Sequence, residues 1–232
     1  MGKDLNAVAD SARSFYDQGL YREALENYEL LFAAQVKDDE LFYNMANCYA
    51  RMGELGEAKL FYERALIYNP SNVDASHNLD WVNLRITDAL VEPHQELIEW
   101  VGQWGRSITH ADTWALLGWS IIGLSILLLV IRKTLVKTLN WRWPFTTTVF
   151  AGVFIAMGYL SIPRIKKAVV VERSSYGYSE PSTNSKRIVL LSEGSAGTVV
   201  GTNASWYYIE LGDGRLAWFD ANEWEHVLPI AD

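Results

Sequence analysis

The residues best suited to chemistry in this chain are asparagine amides rather than nucleophiles or metal ligands. The four histidines are scattered, and none shares a helix with a second histidine or glutamate at metal-ligand spacing. The glycines of 194–197 lack the lysine of a phosphate-binding loop, and no nucleophile-elbow motif is present. We therefore predict no enzyme activity, no catalytic residues, no metal site and no cofactor. Asn44, Asn47 and Asn78, in contrast, each carry a donor and an acceptor and could pair with a peptide backbone.

A repeat near the start of the chain supplies the helices that would position these amides. Small and aromatic residues recur 34 positions later: Ala12, Phe15, Gly19, Tyr21, Ala24 and Tyr28 are echoed by Ala46, Tyr49, Gly53, Leu55, Ala58 and Tyr62. This period is typical of stacked helix–turn–helix units, whose small residues let helices approach and whose glycines allow the turn between them. The spacing resembles the tetratricopeptide repeat over roughly residues 5–70. We predict all-α tetratricopeptide repeats with a capping helix over residues 1–90.

The same resemblance predicts a binding groove. In tetratricopeptide arrays the first helices of the repeats line a concave surface, and the register places there Asp10, Arg13, Tyr43, Asn44, Asn47, His77, Asn78 and Trp81. We predict that this groove holds an extended peptide of a partner protein, with Arg13 available to an acidic ligand. Asp74 and Asn78 occupy places where the carboxylate-binding version of the repeat has basic residues, so a C-terminal carboxylate is disfavoured. The alternative is a polar groove that only contacts water.

The middle of the chain is apolar and basic. Two runs without charged residues, at 113–131 and 144–163, predict a two-helix transmembrane hairpin over 112–163. Tryptophans near the ends of the runs and flanking basic residues suit contact with membrane lipids. Such a hairpin would place both ends of the chain on one side of the membrane, and the flanking charges do not decide which. The alternative is a pair of buried core helices.

Residues 91–111 form the predicted link to this hairpin. Leu97, Val101, Trp104 and Ile108 recur at helical spacing and share one face. We predict an amphipathic helix lying at the membrane interface. An ordinary helix packed on the capping helix is the alternative.

Residues 168–232 change to a period of two, which predicts a small all-β barrel. Five strands are expected, at 168–172, 187–191, 198–201, 206–211 and 215–219, with a hairpin turn at 211–215. The pattern of Leu191, Glu193-Gly194, Val199, Trp206 and Asp213-Gly214-Arg215 resembles the bacterial SH3-like domain, although Ala217 stands where that family has glycine.

Four aromatic residues of this segment form a second candidate surface: Tyr176, Tyr178, Trp206 and Trp218. Tyr176 and Tyr178 are expected to be exposed in a loop, and the surface could bind a peptide or the stem peptides of peptidoglycan. For Trp206 and Trp218 we favour the alternative that they fill the barrel core.

Acidic residues predominate at both ends of the chain, whose net charge is −8, and this excludes a nucleic-acid partner. The order of repeats, hairpin and SH3-like domain resembles BatE-like aerotolerance proteins. The resemblance implies a bacterial inner-membrane protein with periplasmic domains and, as partners, von Willebrand A-domain Bat proteins and a MoxR-type ATPase. It also implies a signal peptide. Because 1–10 has no apolar stretch, we expect the chain to begin at a processed or recloned end.

We therefore predict a membrane-anchored protein-interaction scaffold linked to aerotolerance or stress. The alternatives are a peptidoglycan-binding module and an assembly chaperone for exported proteins.

Overall fold

The computed structural model describes residues 5–86, 105, 111–134, 142–160 and 167–228. The chain divides into two compact units: Met1–Pro93 together with Ile165–Asp232, and His94–Arg164. The first unit contains five helices: α1 (Leu5–Asp17), α2 (Tyr21–Ala33), α3 (Asp39–Met52), α4 (Leu55–Tyr68) and α5 (Val73–Asn83). A seven-stranded antiparallel sheet completes it. The prediction of an N-terminal helical repeat region and a C-terminal all-β region is thus confirmed.

The helices form two copies of one packing unit, in which α1 pairs with α2 and α3 pairs with α4. Ala12, Ala24, Ala46 and Ala58 are fully buried, as close helix approach requires. Gly19 and Gly53 have φ values of 77° and 83°, in the left-handed region that favours glycine. The amide following each glycine donates to the equivalent carbonyl, of Phe15 in one copy and of Tyr49 in the other. The helical turn is therefore repeated in detail.

The sheet has the strand order β3-β2-β6-β5-β4-β1-β7. Its strands are β1 (Lys167–Val170), β2 (Ser174–Tyr178), β3 (Arg187–Ser192), β4 (Ala196–Asn203), β5 (Trp206–Leu211), β6 (Leu216–Asp220) and β7 (Trp224–His226). Gly214, at φ 81°, lies in the predicted turn between β5 and β6. The prediction of five strands missed β2 and β7.

The β region packs directly on α4. Val169 and Val227 belong to the same buried cluster as the helical core. Arg64 Nε donates to Val227 O over 3.1 Å, and its Nη2 contacts His226 O and Glu225 Oε1 at 2.8 and 2.7 Å. Because its side chain is only 8% exposed, these hydrogen bonds compensate for the burial of the guanidinium.

Two further polar contacts hold the same interface. Gly56 N donates to Glu193 Oε1 over 2.7 Å, and Lys167 Nζ bonds Glu63 Oε1 at 2.8 Å. A Cβ atom on Gly56 would lie only 2.5 Å from Val170 O, so the glycine permits a close approach. The repeats and the sheet therefore share a buried interface, and the sheet also has a buried cluster of its own around Phe219 and Ile209.

The second unit contains helices α6 (Ala111–Thr134) and α7 (Arg142–Leu160), which pack on each other. Ser125 Oγ bonds Thr147 Oγ1 at 2.7 Å, and the Trp114 and Phe154 rings lie 5.6 Å apart. A Cβ atom on Gly118 would lie 2.6 Å from Ile155 Cγ1. Leu116, Trp119 and Phe150 are each exposed over more than 60% of their surface. The helices thus contact through small and polar residues and through the rings of Trp114 and Phe154, while other large apolar side chains are exposed.

The described residues give no support to the predicted transmembrane hairpin. In the ranges that the structure describes, no helix combines the length and the apolar character needed to cross a membrane. Residues 161–163 and nearly all of the predicted interfacial helix at 91–111 lie outside the described residues.

Candidate functional site

The predicted groove residues lie on α1, α3 and α5, the first helices of the successive units. Contacts between these helices bring several of them together. Asn78 Nδ2 donates to Asn47 Oδ1 over 3.1 Å, and it lies 3.5 Å from the Tyr43 hydroxyl. Asn47 and Asn78 are half-buried. The structure therefore joins α3 and α5 through an amide pair instead of leaving separate solvated side chains.

A buried tyrosine, Tyr62, supports this pair from α4. Its hydroxyl donates to Asn47 Oδ1 over 2.6 Å, and its ring lies 6.1 Å from that of Tyr43. Burial raises the pKa of Tyr62, so its hydroxyl stays protonated at neutral pH and remains a donor. Sequence reasoning treated Tyr62 only as a packing residue. Its position in the repeat gave no signal of a polar role, because the equivalent Tyr28 has the same size and burial.

Arg13 has a partner within the protein. Its Nη2 lies 2.5 Å from Glu40 Oε1, and Asp10 lies 3.7 Å from its Nη1. The hydrogen bond and charge of Glu40 raise the pKa of Arg13. An acidic ligand would have to compete with Glu40, so the predicted role of Arg13 as a free cation is weakened.

The remaining groove residues lie nearer the outside. Asn44 is half-buried, whereas His77 is exposed. Trp81 is 44% exposed and its ring is covered by the Arg85 guanidinium, 3.5 Å from the ring centroid. The groove thus has an ordered amide centre at Asn47 and Asn78, with an aromatic–cation stack at its α5 end.

The aromatic residues of the β region differ from their predicted placement. Tyr176 and Tyr178 lie on β2 rather than in a loop, and Tyr178 is 8% exposed. Trp206 and Trp218 are only half-buried and lie outside the β core, which is built around Phe219, Ile209 and Trp224 in their place. The expectation that both tryptophans fill the core is therefore wrong.

These residues form a cluster on the opposite side of the sheet from the core, here called the aromatic face: Tyr176, Tyr178, Trp206, Tyr208 and Trp218. Tyr178 and Trp206 meet edge to face at 5.6 Å, and Tyr208 stacks on Trp218 at 4.7 Å. Arg187 lies 4.2 Å from the centroid of the Tyr176 ring. Tyr208, which the sequence prediction omitted, could have been found from its alternation with Trp206 along β5.

The interface between α4 and the sheet contains a cluster of glutamates, here called the acidic corner: Glu54, Glu57, Glu172 and Glu193. Burial raises the pKa of Glu57 to about 7, and the nearby carboxylates of Glu193, Glu54 and Glu172 add to the shift. Glu57 therefore takes up a proton near neutral pH. Among the described residues no group of three or more histidine, cysteine, aspartate or glutamate side chains could hold a metal ion.

Comparison with known proteins identifies the repeat. Residues 40–72 match the tetratricopeptide repeat family. The chain is also 31% identical over 77 residues to sperm-associated antigen 1 of Mus musculus, and this match covers 33% of the chain. The chain covers only 8% of the length of that relative. These findings show a tetratricopeptide repeat-containing protein, with protein partners in general.

Proposed function

We propose that this chain is a non-catalytic protein-interaction scaffold whose groove binds an extended segment of a partner protein. The observation that carries the proposal is that neighbouring residues of α4 contact two different parts of the protein. Tyr62 reaches the groove and supports Asn47, while Glu63 and Arg64, the next two residues, contact the β region. The sheet therefore occupies a face of α4 different from the one that serves the groove.

The groove chemistry favours an uncharged, extended ligand. Its centre consists of amides, and Arg13 is already paired with Glu40. Amide side chains can bond both the N–H and the C=O of a peptide, irrespective of the ligand's side chains. A partner segment bound in this way would be recognised by its backbone first and by neighbouring residues such as Trp81 second.

The test is partner capture by a triple variant of the purified full chain, Asn44→Ala, Asn47→Ala and Asn78→Ala. Each change should weaken binding by about 1–3 kcal/mol, because it leaves a polar group of the bound backbone without a partner. The matched control changes three exposed residues of α2 to alanine: Glu23, Glu26 and Glu29. Undiminished capture by a folded asparagine variant would move the binding site away from the groove.

The resemblance to BatE-like proteins supports a more specific proposal for the partners. We propose von Willebrand A-domain Bat proteins and a MoxR-type ATPase, acting at the periplasmic side of a bacterial inner membrane. The repeat region followed by a β region is consistent with that order of domains. Binding of purified von Willebrand A-domain proteins to the full chain, with the triple variant as control, would test it. A client range limited to unfolded exported proteins would favour the chaperone alternative.

The aromatic face supports a second candidate function, peptidoglycan binding by an SH3-like domain. The observation that supports this function is that Trp206 and Trp218 lie on the side of the sheet away from the β core. Co-sedimentation of the full chain with purified cell wall tests this function, with Trp218→Ala as the variant. The full chain is needed because Val169 and Val227 pack into the helical core. Sedimentation that Trp218→Ala leaves unchanged would exclude this face.

A further inference from the structure

The orientation of the Asn47 amide is fixed by two donors. Tyr62 OH and Asn78 Nδ2 both donate to Asn47 Oδ1, at 2.6 and 3.1 Å. Rotation of the Asn47 amide alone would place its nitrogen against the Asn78 nitrogen, two donors without an acceptor, so Asn47 keeps its oxygen toward Tyr62 and Asn78. Asn47 Nδ2 makes no hydrogen bond within the described residues and keeps its N–H groups for a ligand.

Asn78 has the complementary orientation. Its Nδ2 donates to Asn47 Oδ1 and lies beside the Tyr43 hydroxyl, so its own Oδ1 remains an acceptor. A donor from α3 therefore lies next to an acceptor from α5. A peptide unit presents the matching groups, C=O and N–H, whereas a carboxylate presents only acceptors and would repel Asn78 Oδ1.

We propose that Tyr62 is a positioning residue that sets this donor–acceptor order, so that Asn47 donates to a backbone C=O and Asn78 accepts a backbone N–H of one extended segment. The inference rests on the proposed groove function. Tyr62 itself is only 2% exposed and does not touch the bound segment.

The repeat provides a matched control for Tyr62. Tyr28 lies 34 positions earlier and is 3% exposed. The groove residue that corresponds to Asn47 is Arg13, which is paired with Glu40. Tyr28→Phe therefore removes an equally buried hydroxyl without affecting the amide pair.

The probe is a synthetic peptide selected on the wild-type full chain from a random library of peptides about twelve residues long, and binding is followed by fluorescence anisotropy. Tyr62→Phe should weaken binding about tenfold, and Tyr28→Phe less than about twofold. In an Asn47→Ala background, Tyr62→Phe should have no further effect on affinity. This coupling separates positioning from a general loss of stability, which would persist in that background.

A chemical change in the peptide tests whether Asn78 accepts a hydrogen bond from a backbone N–H of the ligand. Each peptide bond is replaced in turn by an ester, which removes one N–H. At one position this replacement should weaken the affinity for wild-type protein about tenfold and leave the affinity for Asn78→Ala unchanged. Should Tyr62→Phe fail to fold, Asn47→Asp keeps the acceptor for Tyr62 and Asn78 while it removes the donor. It should lose at least as much affinity.

The outcomes separate the two proposals. Peptides that bind independently of Asn44, Asn47 and Asn78, or a library that gives no groove-dependent binder, would overturn the groove function and this inference with it. Groove-dependent binding that is unaffected by Tyr62→Phe, or by every ester, would overturn the inference alone.

Discussion

The two repeats share their framework but differ in what covers their second helices. Ala24 and Tyr28 in α2 match Ala58 and Tyr62 in α4, and all four are buried. Two other positions of these helices diverge. Arg22 and Glu26 are exposed in α2, whereas the equivalent residues in α4 are Gly56 and Leu60, which are buried.

This comparison separates residues that make a repeat from residues that select a neighbour. The alanines, tyrosines and turn glycines are common to both copies because both must pack two helices. Gly56 and Leu60 stand where α2 has Arg22 and Glu26, so α4 carries two fewer charges at these positions. The β region can therefore dock on the second repeat, and the equivalent face of the first repeat remains polar.

The largest effect on stability is expected when Gly56 of the second repeat is replaced by arginine, the residue at the equivalent position of the first repeat. Gly56→Arg would force a Cβ atom to 2.5 Å from Val170 O and to 2.8 Å from Glu193 Cγ. We expect a loss of about 3 kcal/mol in the free energy of unfolding, measured by denaturant titration. Arg22→Gly, the reverse exchange on an exposed helix, should cost only about 1 kcal/mol. Equal losses in the two variants would contradict the docking on α4.

A smaller effect should follow from Arg64→Leu. Leucine is the residue at the equivalent position of α2, Leu30. The change removes the donors to His226 O and Val227 O and leaves these two carbonyls, which lie in the buried and part-buried regions of the interface, without Arg64. The free energy of unfolding should fall by about 2 kcal/mol, as measured by the same titration.

The control for this change is Leu30→Arg. Leu30 is 43% exposed, so an arginine there keeps its guanidinium in water and should change stability by less than about 0.5 kcal/mol. A destabilisation by Leu30→Arg as large as that by Arg64→Leu would show that the β region does not distinguish the two helices.

The smallest effect concerns Glu57. Its pKa is raised to about 7 in the folded chain, so folding binds a proton between the unfolded pKa and neutral pH. Stability from this group is present at acidic pH and is lost as pH rises toward about 8. Glu57→Gln should raise the free energy of unfolding by about 1 kcal/mol at pH 8 and flatten its dependence on pH, because a partly exposed carboxyl feels only part of the shift.

Glu23, the exposed equivalent of Glu57 in α2, is the matched control. Glu23→Gln should leave the pH dependence of unfolding unchanged. A pH profile unaltered by Glu57→Gln would mean that the acidic corner does not titrate in this range.

Sequence patterns predicted the repeats well because local rules govern them. Gly19 and Gly53 mark the turns, and the buried alanines mark the helix contacts. The β strands were predicted less completely. β7 has only three residues, too few for an alternating pattern, and the serine, glycine and tyrosine composition of β2 is typical of a loop.

The candidate site shows the same limit. The register placed Asn47 and Asn78 on first helices, but it could not show that Tyr62 orders them, since that contact joins residues on three helices. The docking of the β region depends on contacts such as Arg64 with His226, more than 160 residues apart. The sequence signals of it are the differences between Arg22 and Gly56 and between Glu26 and Leu60.

The central claim is that a partner segment occupies the groove while the β region covers α4. A photo-crosslinking amino acid placed at His77, which is exposed on α5, would test it in cells that make the full chain. The same amino acid at Glu29, exposed on α2, provides the comparison. We predict a crosslinked partner from His77 and none from Glu29, with loss of the His77 product in the Asn44, Asn47 and Asn78 triple variant. A partner crosslinked through Glu29 but not through His77 would contradict the account.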